Sequence, residues 1–507
     1  MRYIGIRHRV KKTKKGEARP TQIAIRENET MVRYDLEDEA AELDFKNGQF
    51  PVEYRAAEQD EDLSKFRERH IKWRKLKKDE LPEDFPQNLI RREGKKEFYL
   101  ATRVPTAFEG LRQGDRSAML LGGSGDFFAY ALAKRSLNIG ADVQRIPAFE
   151  FIPYREDRPK DDDAAILAEL VSRDTSKFYK VETRDVELIK LRIKLRDRID
   201  AMKERIACEQ RLRQRFTGLV FCSEGGEYEE GDLEKQFLAT KANDEIFQAL
   251  VREENKRNAE LMRHVETLPT FQKVFNTVEG CGPMIASRIM AYVIDIRRFA
   301  TEAKLKAYCG VHLKNYASCA VCQKTFDWMD CLFSDSFVSC PFCQSHESIS
   351  SFREFPRRRN DETANWNDEC RKALVILGDQ FNKRPGSDWG QMLIRYKGWF
   401  RAVHPSVFIT DKGKKRYTPA HIHKMGTWRT LTRFVEWTYS AWRDTDNGRP
   451  LPPLPFGPDM SMAVPVDPHE PIDFRRKRKD DIREEEIQDD SIPEASVDHD
   501  TNVEVMA

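Results

Sequence analysis

The chain has 507 residues, of which 34% are charged and 39% hydrophobic, enough length for about three domains with buried cores. No eighteen-residue stretch is free of charge, which excludes a membrane-spanning helix, and the opening residues lack the apolar segment of a secretory leader. The net charge of +2 hides a division: Glu470 to Ala507 carries 13 acidic and 6 basic residues, which leaves +9 on the remainder, a balance that suits a protein handling nucleic acid.

In chain order, Tyr3-Ile4-Gly5-Ile6 and Thr21-Gln22-Ile23-Ala24-Ile25 read as two strands of a hairpin across a basic turn. Residues 53–97 are dense in charge and read as an inserted helix and loop. Ala118-Met119-Leu120-Leu121 is a short apolar run ending in Gly122-Gly123-Ser124-Gly125. A helical pattern at Phe127, Phe128, Leu132 and Ala133 follows, and then Gly140-Ala141-Asp142-Val143. Strand, glycine-rich turn, helix and strand make a βαβ unit, so residues 1–180 are expected to form an α/β domain.

From 181 to 267 the pattern is helical. Leu188, Leu191, Leu195, Ile199, Met202 and Ile206 recur in steps of three and four, as in a coiled-coil seam, and packing between two helices is the preferred account of them. A second stretch, 232–265, is expected to return antiparallel after a bend at Gly225-Gly226; such a hairpin also offers a surface for homo-oligomerisation. Residues 268–445 read as mainly helical around a cysteine-rich insert at 319–343. Residues 446–507 read as a proline-rich linker and a disordered acidic tail that includes the basic run Arg475 to Lys479.

Three motifs could carry chemistry. Cys319-x-x-Cys322 and Cys340-x-x-Cys343 are separated by 17 residues, the arrangement of two knuckles that close a tetrahedron around structural Zn²⁺ in a zinc ribbon. Cys331 and His346 read as bystanders. This use of cysteine also implies a reducing, cytoplasmic setting. Gly280-Cys281-Gly282-Pro283 lies between helical patterns and resembles a helix-hairpin-helix turn, which presents backbone N–H groups to a phosphate; an ordinary helix connection fits as well. Asp161, Asp162 and Asp163 open a helix, where they suit its dipole or a divalent cation.

These motifs, in this order, resemble the transposases of insertion-sequence family 110, relatives of the Piv-type invertases. The likeness rests on Gly280-Cys281-Gly282-Pro283, Ile294 to Phe299, Leu305 to Val311, Trp366 to Leu374 and Asp163-Ala164-x-x-Leu167-Ala168. It implies a RuvC-like N-terminal domain whose four acids bind Mg²⁺, a C-terminal serine that attacks a DNA phosphate, and a structured guide RNA. Asp163, with Asp161 or Asp162, would hold the metal. Ser318, Ser345, Ser348, Ser350 and Ser351 are candidate nucleophiles; counting back from Trp366-Asn367 favours Ser350 or Ser351, placed on a loop beside Arg357, Arg358 and Arg359. Those arginines, with Gly280 and Gly282, would contact DNA phosphates. Three positions depart from the family pattern, because Arg7, Gly122 and Lys160 stand where acids are expected. Two functions follow: a DNA transposase or recombinase with a rearranged metal site, or a catalytically silent DNA- or RNA-binding relative.

Overall fold

The computed structural model describes residues 1–9, 19–77, 80–94, 97–122, 125–223, 232–328, 331–333, 338–346, 349–355, 366–409 and 415–455. The chain divides into two compact units, Met1–Ile189 and Lys190–Ala507, and is mixed α/β.

The first unit opens with the expected hairpin, β1 (Arg2–Arg7) against β2 (Thr21–Glu27), continued by β3 (Thr30–Leu36) and α1 (Glu39–Asn47). After the charged segment come β8 (Arg116–Leu121), α2 (Asp126–Ile139), β9 (Asp142–Pro147), α3 (Ala148–Arg155), α4 (Asp163–Arg173) and β10 (Tyr179–Lys180). The sheet order is β10-β9-β8-β1-β2-β3, with β1, β8 and β9 mutually parallel and the hairpin central. The anticipated βαβ unit is thus β8-α2-β9. Alternation along the strands sends Ile4, Ile6, Ile23 and Met119 to one face, where they meet Phe128 and Leu132 of α2. Ala118 and Ile146 face the other way, toward Ile166, Leu167 and Leu170 of α4. Gly5 is required there: a Cβ on it would lie 1.8 Å from the Ala164 carbonyl oxygen. The pairing of Gly5 with Ala164, Ala165 and Ala168 lets α4 lie directly on β1.

The charged segment folds differently from the sequence expectation. In place of a helix it forms an antiparallel sheet of β4 (Phe50–Ala56), β5 (Lys72–Lys75), β6 (Ile90–Glu93) and β7 (Glu97–Glu109). The cause is β7, a long strand rich in aromatic and β-branched residues that templates three short partners and packs its Ala101 with Ile71 and Leu89. Buried Asp44 on α1 accepts hydrogen bonds from Arg67 and Arg69 of the segment between β4 and β5 and lies 2.6 Å from Nε2 of that segment's buried His70.

Helix α5 (Thr183–Phe221) starts in the first unit and runs into the second, which continues with α6 (Asp232–Asn243), α7 (Glu245–Glu266), α8 (Pro269–Lys273), α9 (Pro283–Val293) and α10 (Glu302–Cys309). The returning stretch is two helices, not one, because Asp244 caps α7 by accepting from the Phe247 N–H at 2.8 Å. Leu191 and Leu195 are fully buried, but the apolar stripe has reached solvent by Ile206, which is 37% exposed. Farther along, Leu212 packs with Phe237 of α6 and Phe247 of α7, and Arg205 bonds Glu254 at 2.5 Å. The bend at Gly225-Gly226 lies outside the described residues.

A small β module follows: β11 (Lys314–Cys319), β12 (Thr325–Asp327), β13 (Leu332–Phe333), β14 (Val338–Ser339) and β15 (Ile349–Glu354), with β11 between β12 and β15. The unit closes with α11 (Asp368–Lys383), α12 (Asp388–Val403), the short pair β16 (Phe408–Ile409) and β17 (Lys415–Arg416), and α13 (Pro419–Asp446). Phe381, Trp389 and Phe434 interlock at centroid distances of 5.3 to 5.9 Å and form its aromatic core. Among the described residues no helix is long and apolar enough to cross a membrane.

Candidate metal centre and nucleic-acid interface

The four cysteines converge. One Sγ from each of Cys319, Cys322, Cys340 and Cys343 lies within 4.8 Å of all the others, and the Cys319–Cys343 and Cys322–Cys340 separations are 3.5 and 3.6 Å. Four thiolates at about 2.3 Å from zinc stand about 3.8 Å apart, so the donor set fits that ion. Cys331 and His346 are outside the group.

Two copies of one backbone design bring the cysteines together. In the first knuckle, the Gln323 N–H donates to the Cys319 carbonyl at 2.8 Å and the Cys319 N–H to Lys324 at 3.1 Å. In the second, Gln344 donates to Cys340 at 2.9 Å and Cys340 to Ser345 at 2.8 Å. Gln323 and Gln344 adopt left-handed φ values of 57° and 60°, the reversal that aims both sulfurs of a pair inward. Burial raises the Cys340 thiol, but hydrogen bonds from the Cys343 and Phe342 N–H groups outweigh it and bring it down to about 7. Among the described residues no further donor joins the four cysteines, and a closed, fully cysteine-lined set of this kind could hold a structural metal such as zinc.

The glycine turn lies between α8 and α9. Gly280 has φ +89°, and a Cβ there would meet Gln380 at 2.9 Å, so both the turn and its seat on α11 require glycine. Gly282 precedes α9 with open space beside it and no side-chain cap, and its carbonyl accepts from Ala286 at 3.0 Å. The exposed Arg384 side chain reaches within 3.6 Å of the Cβ position at Gly280. Downstream, Gly310 turns left-handed at φ +68° against Trp366. The Asn367 N–H donates to the Tyr308 carbonyl at 2.7 Å, and Arg371 lies over both Trp366 and Trp428, 4.7 and 5.0 Å from their centroids. Phe355 stacks on Trp428 at 5.3 Å. Phe355 and Trp366 thus both belong to the cluster around Trp428 and Arg371, and Arg357, Arg358 and Arg359 lie outside the described residues.

The serines occupy a strand instead of the expected loop. Ser350 and Ser351 lie in β15, opposite Ser318 and Ala317, because the cysteine module extends its sheet past the second knuckle. The exposed Ser350 hydroxyl is 2.7 Å from that of Ser318. Ser345 follows the second knuckle, and Ser348 is outside the described residues.

The aspartates are each held by arginine. Asp163 is buried and takes a two-pronged contact from Arg155, Nε to Oδ1 and Nη2 to Oδ2, both 2.8 Å. Asp162 accepts from Arg33 at 2.9 Å. Asp161 accepts on a single oxygen from Arg7 at 2.6 Å and Arg19 at 2.9 Å. Nearby Asp126 is buried in a 2.5 Å contact with Arg145. Gly122, at φ +92°, offers no side chain, and Gly123 and Ser124 are outside the described residues. Guanidinium groups already neutralise these carboxylates, and an arginine stands at the end of β1; the residues present do not fit a magnesium site. Sequence spacing carried no signal for Arg19, Arg33 or Arg155, since only folding places Arg19 and Arg33 beside acids more than a hundred residues away.

The chain thus joins an α/β unit with helices on both faces of its sheet to a helical unit bearing a four-cysteine module. Residues 272–325, from α8 through the glycine turn and α10 to the first knuckle, match the family model described as Transposase IS116/IS110/IS902 family. No curated protein matches the chain.

Proposed function

We propose that the chain is a transposase-type protein that binds the DNA of a mobile element, with the matched segment and the cysteine module as its DNA-contacting part. The match over 272–325 carries this reading. It coincides with the uncapped α9 N-terminus and the Arg384-flanked turn, a phosphate-binding arrangement that reads no bases. The order β9-β8-β1-β2-β3 and its parallel core support a RuvC-like N-terminal unit, and a homo-oligomer is proposed on the coiled-coil reading of α5 alone. A structured RNA is the partner proposed from the family resemblance.

In this reading the N-terminal sheet does not perform magnesium-assisted strand cleavage, because arginines pair with each of the three candidate aspartates. A second reading, serine recombination, is favoured by the exposed Ser350 on a sheet stapled by the cysteines. One experiment separates them. The protein, with any co-purified RNA, is incubated with element-end DNA and magnesium, and covalent protein–DNA adducts are sought. Salt-dependent binding without adduct supports the binding protein; an adduct lost in Ser350→Ala establishes the recombinase, and one lost only in Ser351→Ala moves the nucleophile by one residue. Failure to bind DNA at all refutes both.

A further inference from the structure

The paired carboxylates at the sheet edge differ from one another. Arg155–Asp163 and Arg145–Asp126 are buried, closed pairs. Asp161 is not: its side chain is 58% exposed, and two guanidiniums converge on its Oδ1 from Arg7 at the end of β1 and Arg19 just before β2. Arg7 also donates from Nη1 to the side-chain amide oxygen Oε1 of Gln22 at 2.7 Å and is only 14% exposed, so its guanidinium is fixed in direction. Lys160 precedes Asp161 in the same turn. The location is outside the carboxyl end of the parallel strands β1 and β8, where open α/β sheets place their ligands.

Two guanidiniums converging on one oxygen, that of Arg7 fixed and that of Arg19 44% exposed, form the geometry of phosphate recognition. The anion now between them is weakly retained, because ion pairs with an exposed carboxylate gain little in water. A phosphodiester oxygen brings the same charge without the need to hold a mobile aspartate side chain in place.

We propose that Arg7 and Arg19 form a metal-independent clamp for a nucleic-acid backbone phosphate, and that Asp161 is the internal anion occupying it until nucleic acid enters. Phosphate oxygen replaces Asp161 Oδ1, and the freed carboxylate turns to solvent. No bond is made or broken, and no cation is needed, since the two arginines supply the charge that a divalent ion otherwise would. The proposal rests on the nucleic-acid-binding reading above but concerns the other unit of the chain.

The test uses the full chain, with a fluorescent DNA duplex and, separately, a structured RNA of equal length. Anisotropy is read across a salt series in magnesium-free buffer and again with magnesium. Losing the one phosphate that the clamp neutralises flattens the salt slope by about 0.9, so between 50 and 200 mM salt Arg7→Gln/Arg19→Gln should lose roughly threefold less affinity than the parent. Asp161→Asn should bind severalfold more tightly, without added magnesium. The opposite signs are decisive, because a merely structural ion pair would weaken binding in all variants; circular dichroism melting checks that each one folds. Arginine variants with an unchanged slope, or Asp161→Asn binding no tighter than the parent, overturn the clamp. If the parent binds while these variants behave like it, only the clamp falls. If the parent binds neither nucleic acid, the clamp falls together with the proposed function. Whichever of DNA and RNA shows the lost slope is the clamp's ligand.

Discussion

The two-pronged Arg155–Asp163 pair separates a structural role for Asp163 from a catalytic one. Its carboxylate side chain is 5% exposed and the Arg155 side chain 18%, with both contacts at 2.8 Å and the guanidinium also lying 5.7 Å from the Phe151 ring centroid. Removing one partner of a buried pair leaves an uncompensated charge and costs about 3–5 kcal/mol. The partial exposure of Arg155 admits some water, so Arg155→Met should cost about 2–4 kcal/mol. Asp163→Leu alone should cost a similar amount by stranding the arginine. Together the two changes replace the pair with apolar contact against Phe151 and Ala164, and the double variant should recover much of the loss. The coupling should then be about 2–3 kcal/mol. Urea unfolding followed by circular dichroism measures it, read on the transition of the first unit, since a chain of two units need not unfold in one step. Costs below about 1 kcal/mol for both single variants, with additive behaviour in the double, would refute the pair as a structural lock.

Further outcomes follow from other contacts. Protein purified without chelator should carry one zinc per chain by elemental analysis, lost in Cys340→Ser and released on acidification as protons compete for the thiolates. Gly5→Ala drives a Cβ into the Ala164 carbonyl and should destabilise the first unit by about 3 kcal/mol, measurable in the same urea experiment. Burial raises the Glu436 carboxyl, but its 2.6 Å contact with Lys306 and its contact with Arg433 more than offset this and leave it below the ordinary 4.5. Its contribution is therefore fully present above pH 4.5 and fades as the pH falls through the depressed value. Lys306→Met should reduce that acid sensitivity in a melting series from pH 3 to 7, and an unchanged acid limb would count against it.

Local information in the sequence determined those features that depend on near neighbours along the chain. The Ile4/Ile6 and Ile23/Ile25 alternations define the hairpin, the glycine-bounded apolar runs define β8-α2-β9, and the twin Cys-x-x-Cys knuckles define the four-cysteine cluster. Each arises from backbone periodicity or from a turn closed within a few residues. The charged segment differs from its local pattern because its strands form only against the long β7, and charge density conceals a pairing set by a partner strand. Tertiary structure alone decided the state of the aspartates. Three carboxylates at a helix start look the same whether they await a cation or an arginine, and Arg19 and Arg33 reach them only when β1, β2 and β3 assemble beside α4. Ser350 and Ser351 follow the same rule: their place between the cysteine insert and the arginine run suggests a loop, but pairing with β11 makes them a strand.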